Sequence, residues 1–370
     1  MLEFIDGNTA IVRGAIYAGC NFFAGYPITP ATSILLEMIK ELPKLNGIAI
    51  QVEDELAAIG VCLGAATTGR KAMTATSGPG ISLYSENIGL AIMGEVPLVI
   101  VDVQRMGPST GGATKNSEGD IQFIRWVTSG GYPAIALCPI DVETCFSLTV
   151  KAFNLSEEYR TPVFILSSKE LGLTRDTVDL SPCYRLPVRE REYAHPDMEY
   201  LPYKFDELDD IPPYSPFGGP HILRFTTSIH DERGILTNDP EKIDRKLRHL
   251  DAKIKKAVNK IALTHLDRDQ GADILIISYG MTARSVKEAV EIARKKGKKV
   301  SHLILYTLWP VPERDISLAL KGIKKVIVPE LNNGQYLHEI SKFVAQRELI
   351  GIQRLDGNLI PPSHILAELH

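Results

Sequence analysis

Residues Val52-Glu53-Asp54-Glu55-Leu56-Ala57-Ala58-Ile59-Gly60 set a carboxylate at the junction between an apolar strand and a helix of small residues. The preceding Ile48-Ala49-Ile50-Gln51-Val52 reads as a buried strand. Residues 56–66, rich in Ala and Gly, read as a helix packed tightly against its neighbours. In open α/β sheets the chemistry lies in the crevice beyond the carboxyl edge of the strands. A half-buried carboxyl there resists ionisation, so it can hold or share a proton near neutral pH. The competing reading is that Glu53, Asp54 and Glu55 form an acidic first helical turn, favoured by the helix dipole. The segment alone leaves both open.

Working outward, residues 1–172 alternate helix and strand patterns in the βα manner of a parallel, two-sided sheet. Helices are predicted over 8–19, 31–41, 56–67, 80–93 and 142–156. Strands are predicted over 22–25, 48–52, 71–76, 97–103, 134–137 and 163–167. The texture changes over 173–268. Pro182, Pro187, Pro196, Pro202, Pro212, Pro213, Pro216 and Pro220 break regular elements, with Tyr193, Tyr200, Tyr203 and Tyr214 between them. This reads as an extended connector that wraps over a surface. A charged helix over 240–263 follows, its Lys and Arg read as a solvated face. Residues 269–370 form a second α/β unit, with strands over 274–278, 300–306 and 325–328 and helices at 285–295 and 316–320. Its turn Tyr279-Gly280-Met281-Thr282 has the form of an anion cradle at a helix N-terminus. Without a G-x-G-x-x-G or a P-loop lysine it reads as an ordinary strand-to-helix turn. The fold class is therefore α/β, two parallel-sheet domains joined by a long irregular connector.

Of 370 residues, 44% are hydrophobic and 23% charged, as in a globular protein with a good core. A net charge of -4 carries no nucleic-acid or membrane signal. No apolar run reaches membrane-spanning length and the first residues lack a signal-peptide pattern, so a cytoplasmic protein is expected. The five cysteines are an odd number without Cys-x-x-Cys spacing. That argues against a disulfide scaffold, a zinc site, or an iron–sulfur cluster held wholly by this chain.

Four segments fall at predicted strand ends and can meet in one crevice. In Gly25-Tyr26-Pro27-Ile28-Thr29-Pro30, two prolines lock the backbone around Thr29, which favours a positioned hydroxyl over a simple helix cap. The Glu55 junction is the second. Thr74-Ala75-Thr76-Ser77-Gly78-Pro79-Gly80 is the third, its small residues permitting close backbone approach to a flat or anionic ligand, or simply a tight turn. The fourth runs from Val103 through Arg105 to Ser109, Thr110 and Thr114. A guanidinium closing the most apolar strand is costly to desolvate unless an anion meets it, and a carboxylate matches its shape. An internal salt bridge from Arg105 to Asp102 or Asp120 is the alternative. The Gly-rich stretch behind reads as a mobile substrate loop.

Tyr-Pro-Ile-Thr-Pro, Glu-Asp-Glu-Leu-Ala-Ala-Ile-Gly, Thr-Ala-Thr-Ser-Gly-Pro-Gly-Ile-Ser-Leu, Ser-Glu-Asn-Ile-Gly and Val-Asp-Val-Gln-Arg-Met-Gly-Pro-Ser-Thr-Gly together resemble one family. It is the alpha subunit of 2-oxoacid:ferredoxin oxidoreductases, closest to the 2-oxoglutarate branch. The likeness continues through Ile229-His230-Asp231-Glu232-Arg233-Gly234 and Glu330-Leu331-Asn332-Asn333-Gly334-Gln335, spanning nearly the whole chain.

The resemblance implies a thiamine diphosphate enzyme built from several chains, with a pyrimidine-binding first domain and a transketolase C-terminal-like last domain. Glu55 matches the glutamate that hydrogen-bonds a ring nitrogen of the cofactor's aminopyrimidine, with Tyr26, Pro27, Ile28, Ser77 and Gly78 beside the cofactor. Thr29 and Arg105 match the residues that hold the keto-acid end of the substrate, and Ser109 and Thr110 the substrate loop. The implied reaction converts a 2-oxoacid and coenzyme A to acyl-CoA, carbon dioxide and reduced ferredoxin. 2-Oxoglutarate is the favoured substrate, with branched-chain 2-oxoacids or pyruvate as alternatives.

No Gly-Asp-Gly followed by Asn, the usual diphosphate–magnesium signature, is present. Mg2+ and the [4Fe-4S] cluster are therefore expected in a partner, which the resemblance implies is a beta subunit, beside separate gamma and ferredoxin-like delta subunits. One departure is Gly112-Ala113-Thr114, where oxoglutarate-type relatives often carry Leu-Pro-Thr or Gln-Pro-Thr. Lys115 and Arg125 are the candidates for a distal substrate carboxylate. A non-catalytic scaffold role is the reading from another class. A ferredoxin-independent thiamine enzyme is argued against by the connector and by Gln-Arg-Met-Gly-Pro-Ser-Thr.

Overall fold

A computed structural model describes residues 2–369. Among them fourteen strands form in chain order: β1 (Leu2–Asp6), β2 (Phe22–Gly25), β3 (Ile48–Gln51), β4 (Ala72–Thr76), β5 (Leu98–Gln104), β6 (Ile135–Leu137), β7 (Pro162–Ser168), β8 (Arg175–Asp179), β9 (Thr264–Asp267), β10 (Ile274–Ser278), β11 (Val300–Leu305), β12 (Thr307–Trp309), β13 (Lys325–Glu330) and β14 (Glu348–Gln353). They make a seven-stranded sheet in the order β12-β6-β7-β5-β4-β2-β3, a five-stranded sheet β14-β13-β10-β11-β9, and the pair β1-β8.

In the large sheet β6, β7, β5, β4, β2 and β3 all run parallel. The central strands β5 and β7 are buried along their whole length, which explains their nearly unbroken aliphatic sequence. Val99, Val101 and Val103 face the core on one side of the sheet, and Leu98 and Ile100 the core on the other. At its carboxyl end the second face of β5 turns polar, at Asp102 and Gln104. Because β5, β4, β2 and β3 are consecutive neighbours, the four expected segments all leave the sheet along one edge.

The second sheet is parallel over β14, β13, β10 and β11, with β9 added antiparallel. The structure thus has two mainly parallel sheets, as expected, but each carries an antiparallel edge strand that the sequence did not suggest. One of these, β12, leaves the second unit and pairs antiparallel with β6 of the first sheet. No helix among the described residues is long and apolar enough to cross a membrane.

Several expectations need correction. The strand expected to be buried at 48–52 is β3, an edge strand that leaves Ile48 40% and Ile50 38% exposed. The helix expected over 80–93 breaks at Tyr84 into Gly78–Leu83 and Ser85–Met93. The charged helix is Pro240–Lys255, and its basic residues are not all solvated. Lys246, His249 and Lys253 are buried around Glu95, donating to its carboxylate at 2.5, 3.0 and 3.0 Å. Burial would raise the Glu95 carboxyl, but Lys246, Lys253 and His249 outweigh it and hold it well below the usual range. The connector wraps over its own chain. Arg160 donates to the Pro212 carbonyl at 2.9 Å, and Arg191 grips Glu157 with two bonds of 2.6 and 2.8 Å.

Candidate functional site

Asp54 caps the helix Glu55–Thr67, its carboxylate accepting the Ala57 N–H at 2.7 Å. Capping is thereby satisfied one residue early, and Glu55, the first helical residue, keeps its carboxyl free. Half-buried, it leans toward the start of the helix Gly78–Leu83. A Cβ on Gly80 would lie 2.8 Å from Glu55 Cγ, 3.0 Å from its Oε1 and 2.1 Å from Thr76 Oγ1. Only a residue without a side chain admits that approach. Below it Thr74 Oγ1 and Tyr84 Oη are 2.9 Å apart, and burial pushes the Tyr84 hydroxyl up.

Arg105 closes β5 with 6% of its surface exposed. Its guanidinium donates to the Thr29 carbonyl at 2.6 Å and the Thr110 carbonyl at 3.2 Å. Both bonds go to neutral backbone oxygens, not to Asp102 or Asp120, and buried Nε–H has no partner. Thr29 itself is exposed and does not cap the following helix, whose N-cap is Ala31 without a side-chain bond.

Beside Arg105 sits an acid pair overlooked in the sequence as anything but a counter-ion. Burial, and then the neighbouring Asp120, raise the Asp102 carboxyl well above its usual range. Burial raises Asp120 to about 6, tempered by the neighbouring Asp102 and by Arg105. Asp102 is therefore the neutral member of the pair, and both of its carboxyl oxygens, with Asp120 Oδ2, are buried without a hydrogen-bond partner. The Asp120 N–H donates to Gln104 Oε1 at 3.0 Å, and its carboxylate lies 3.3 Å from where a Gly78 Cβ would stand. The available signal was a lone Asp inside the most aliphatic strand of the chain.

Gly78, Pro79, Arg105, Ser109 and Asp120 line a cavity of about 550 Å³, with Asn332 and Gln335 of the second unit on its far wall. The sequence reading attached no role to those two. Ser109, at φ 53, and Thr110 are exposed on the loop. Tyr26 is exposed, while Pro27 and Ile28 are half-buried and Ile28 packs on the core. Lys115 packs against Gly112 and Gly357, and the Arg125 guanidinium lies over Trp126 at 4.1 Å. Neither lines the cavity.

Buried polar atoms without a partner gather at this edge: Thr76 Oγ1, Ser77 Oγ, Arg105 Nε and Ser167 Oγ sit at or just past the carboxyl ends of β4, β5 and β7. Native interiors leave few such atoms, so a cluster marks where water or a ligand completes the bonding. Glu55, half-buried against Gly80 and close to these unpartnered hydroxyls, has the hydrogen-bonding character to meet the edge of a flat nitrogen heterocycle.

Residues 13–249 match the family described as "Pyruvate flavodoxin/ferredoxin oxidoreductase, thiamine diP-bdg", and residues 272–365 match "Pyruvate:ferredoxin oxidoreductase core domain II". The chain is 42% identical to the 2-oxoglutarate synthase subunit KorA of Methanocaldococcus jannaschii, over 98% of each protein. It is 33% identical to the ketoisovalerate oxidoreductase subunit VorB of Methanothermobacter marburgensis, over 99% of this chain and 97% of that one. A solved structure of 2-oxoglutarate:ferredoxin oxidoreductase from Magnetococcus marinus, with 2-oxoglutarate, coenzyme A and succinyl-CoA bound, superposes with a TM-score of 0.93 at 33% identity. That match covers all of this chain and 64% of the other.

Proposed function

Since the chain belongs to the 2-oxoacid:ferredoxin oxidoreductase family, as an alpha subunit of its 2-oxoglutarate branch, we propose that it supplies the acid and substrate side of an active site completed by another subunit. The reaction is the oxidative decarboxylation of 2-oxoglutarate with coenzyme A to succinyl-CoA, carbon dioxide and reduced ferredoxin. The 42% identity to a 2-oxoglutarate synthase subunit, against 33% to a ketoisovalerate enzyme, supports that substrate. Thiamine diphosphate, when bound, supplies a nucleophilic carbon and an electron sink for decarboxylation.

Glu55 hydrogen-bonds a ring nitrogen of the cofactor, from the place beside Gly80 that only a residue without a side chain leaves to it. Tyr26, Pro27, Ile28, Ser77 and Gly78 form its surroundings. Arg105 receives the C1 carboxylate of the substrate. A guanidinium carries five N–H donors, and the two bonds to Thr29 and Thr110 leave the unpartnered Nε–H and others for an anion. Those two bonds also fix the plane of the fork, which gives the carboxylate a set orientation. Thr29 stands next to the reacting carbon, and Ser109 and Thr110 close over it.

The observation that carries this reading is the helix Glu55–Thr67, apolar all round yet only half covered. Leu56 is 49% and Val61 38% exposed, Gly60 and Gly64 are open, and Ile48 and Ile50 of β3 continue the bare surface. A helix without a polar face belongs inside a core or an assembly. We assign its cover to a beta subunit that grips the diphosphate through Mg2+ and carries the [4Fe-4S] cluster. Separate gamma and ferredoxin-like delta subunits complete the complex, which acts in the cytoplasm where ferredoxin and coenzyme A are used.

The test is 2-oxoglutarate- and coenzyme A-dependent reduction of ferredoxin by the reconstituted complex. Glu55→Gln is expected to lower turnover by about 10²-fold or more. Near-normal turnover of that variant would reduce the chain to a scaffold, and equal or faster turnover of 2-oxoisovalerate would overturn the substrate.

A further inference from the structure

The loop that begins at Arg105 returns to the sheet edge at Asp120, and its far end is held by the second unit. Ser117 Oγ and the Glu118 N–H both donate to the Leu331 carbonyl, at 3.0 and 3.1 Å. Asn332 Nδ2 donates to the Glu118 carbonyl at 2.7 Å, and Gln335 Nε2 donates to the Gly119 carbonyl.

Among these bonds the Glu118 side chain enters the turn that follows β10. Its Oε1 accepts the Met281 N–H at 2.7 Å. Gly280 there has φ +54, and a Cβ on it would stand 2.2 Å from Oε1, so the slot requires glycine on one side and is filled by the Glu118 side chain on the other. The turn that the sequence offered as an anion cradle is thus filled by the chain's own carboxyl. Glu118 is 1% exposed, and its Oε2 has no partner. The ionisable groups facing it from the second unit are Glu330 and Tyr279, which are hydrogen-bonded to each other. Burial raises the Glu118 carboxyl to about 8, the Met281 N–H opposing this and Glu330 adding to it, so it is protonated at neutral pH.

We infer that Glu118 is a positioning residue for the oxoacid: seated in the Gly280 turn, it fixes the far end of the 105–120 loop, so that the second unit sets the placement of Arg105 and Asp120 at the cavity. The inference rests on the reading of Arg105 as the carboxylate receptor. A neutral carboxyl suits this seat, because it accepts the single N–H offered without leaving a buried charge. The loop has no comparable anchor of its own. Its internal bonds are backbone contacts among Met106, Gly112 and Lys115 and the Arg105 bond to the Thr110 carbonyl, and they tie the loop only to itself.

The experiment uses the reconstituted complex with Glu118→Ala, Glu118→Gln and Gly280→Ala. Glu118→Ala and Gly280→Ala are expected to raise the KM for 2-oxoglutarate at least about 10-fold with kcat within about threefold of wild type. Glu118→Gln, whose amide oxygen can accept the same Met281 N–H, is expected to restore KM. Hydrogen exchange over 106–116 in the same complexes should quicken in the first two variants and stay as wild type in the third. An unchanged KM with unchanged exchange overturns the inference, as does a Gln variant that behaves like Ala. Arg105→Ala separates the two layers. If it leaves KM unaltered while Glu118→Ala quickens exchange, the assignment of Arg105 falls, and with it the link from loop to oxoacid.

Discussion

Gly80→Ala is the smallest change that reaches Glu55 without altering it. The new methyl would start 2.1 Å from Thr76 Oγ1 and 2.8 and 3.0 Å from Glu55 Cγ and Oε1, where ordinary contact begins at 3.4 Å. Thr76 Oγ1 must therefore retreat by more than an ångström and Glu55 Cγ by more than half of one. Overpacking of this kind costs about 1–3 kcal/mol, which a chain with two large cores can absorb. The catalytic loss follows from the displacement: about 1 Å is worth roughly 10²-fold in rate, and the shift of about half that at Glu55 roughly 10-fold. Turnover of 2-oxoglutarate and exchange of the C2 proton of bound thiamine diphosphate should fall together by about that factor. Subunit assembly, followed by size-exclusion chromatography, should remain intact. A Gly80→Ala complex that assembles and turns over within threefold of wild type would refute the claim that this contact seats the working carboxyl.

Two further outcomes follow from buried charge. Glu118 titrates near 8 in the fold, against about 4.3 for a free glutamate. A raised carboxyl pKa stabilises below the unfolded value, and that stability drains away as pH rises toward and through 8. Glu118→Gln, which cannot ionise, should gain on wild type from pH 5 to about pH 8 in melting temperature and level off above it; a pH-independent difference would contradict the shift. Glu95→Gln removes the one carboxylate that Lys246, Lys253 and His249 share, leaving buried ammonium groups facing an amide. A loss of about 3–5 kcal/mol in denaturant unfolding is expected, and a loss below 1 kcal/mol would show that those groups find water instead.

The parallel framework was legible because β5 and β7 need no partner beyond this chain to explain their aliphatic runs. Helix and strand ends at Gly25, Thr76 and Gln104 lie where turn residues announce them, so Thr29, Ser77 and Arg105 were placed on the correct edge. β3 misled for a physical reason: its apolar residues face outward, and no single chain reports what covers them. Lys246 and Lys253 looked solvated because their counter-charge, Glu95, lies some 150 residues away in sequence. Asp102 was weighed only against Arg105, since nothing local shows that Asp120 would fold back beside it. The seat of Glu118 was half visible, as the Gly280 turn, but the group that occupies it comes from the other half of the chain.

The strand β12 has a consequence for anyone who would treat this protein as interchangeable parts. Residues Thr307–Trp309 grow from the distal half yet seal the border of the proximal sheet, and Trp309 Nε1 reaches the Ile121 carbonyl at 3.0 Å. A chimera joined inside the connector would inherit a seam in which β6 must accept a foreign strand. Exchange of substrate preference between relatives is better attempted by grafting 105–120 together with 330–335, leaving that seam native.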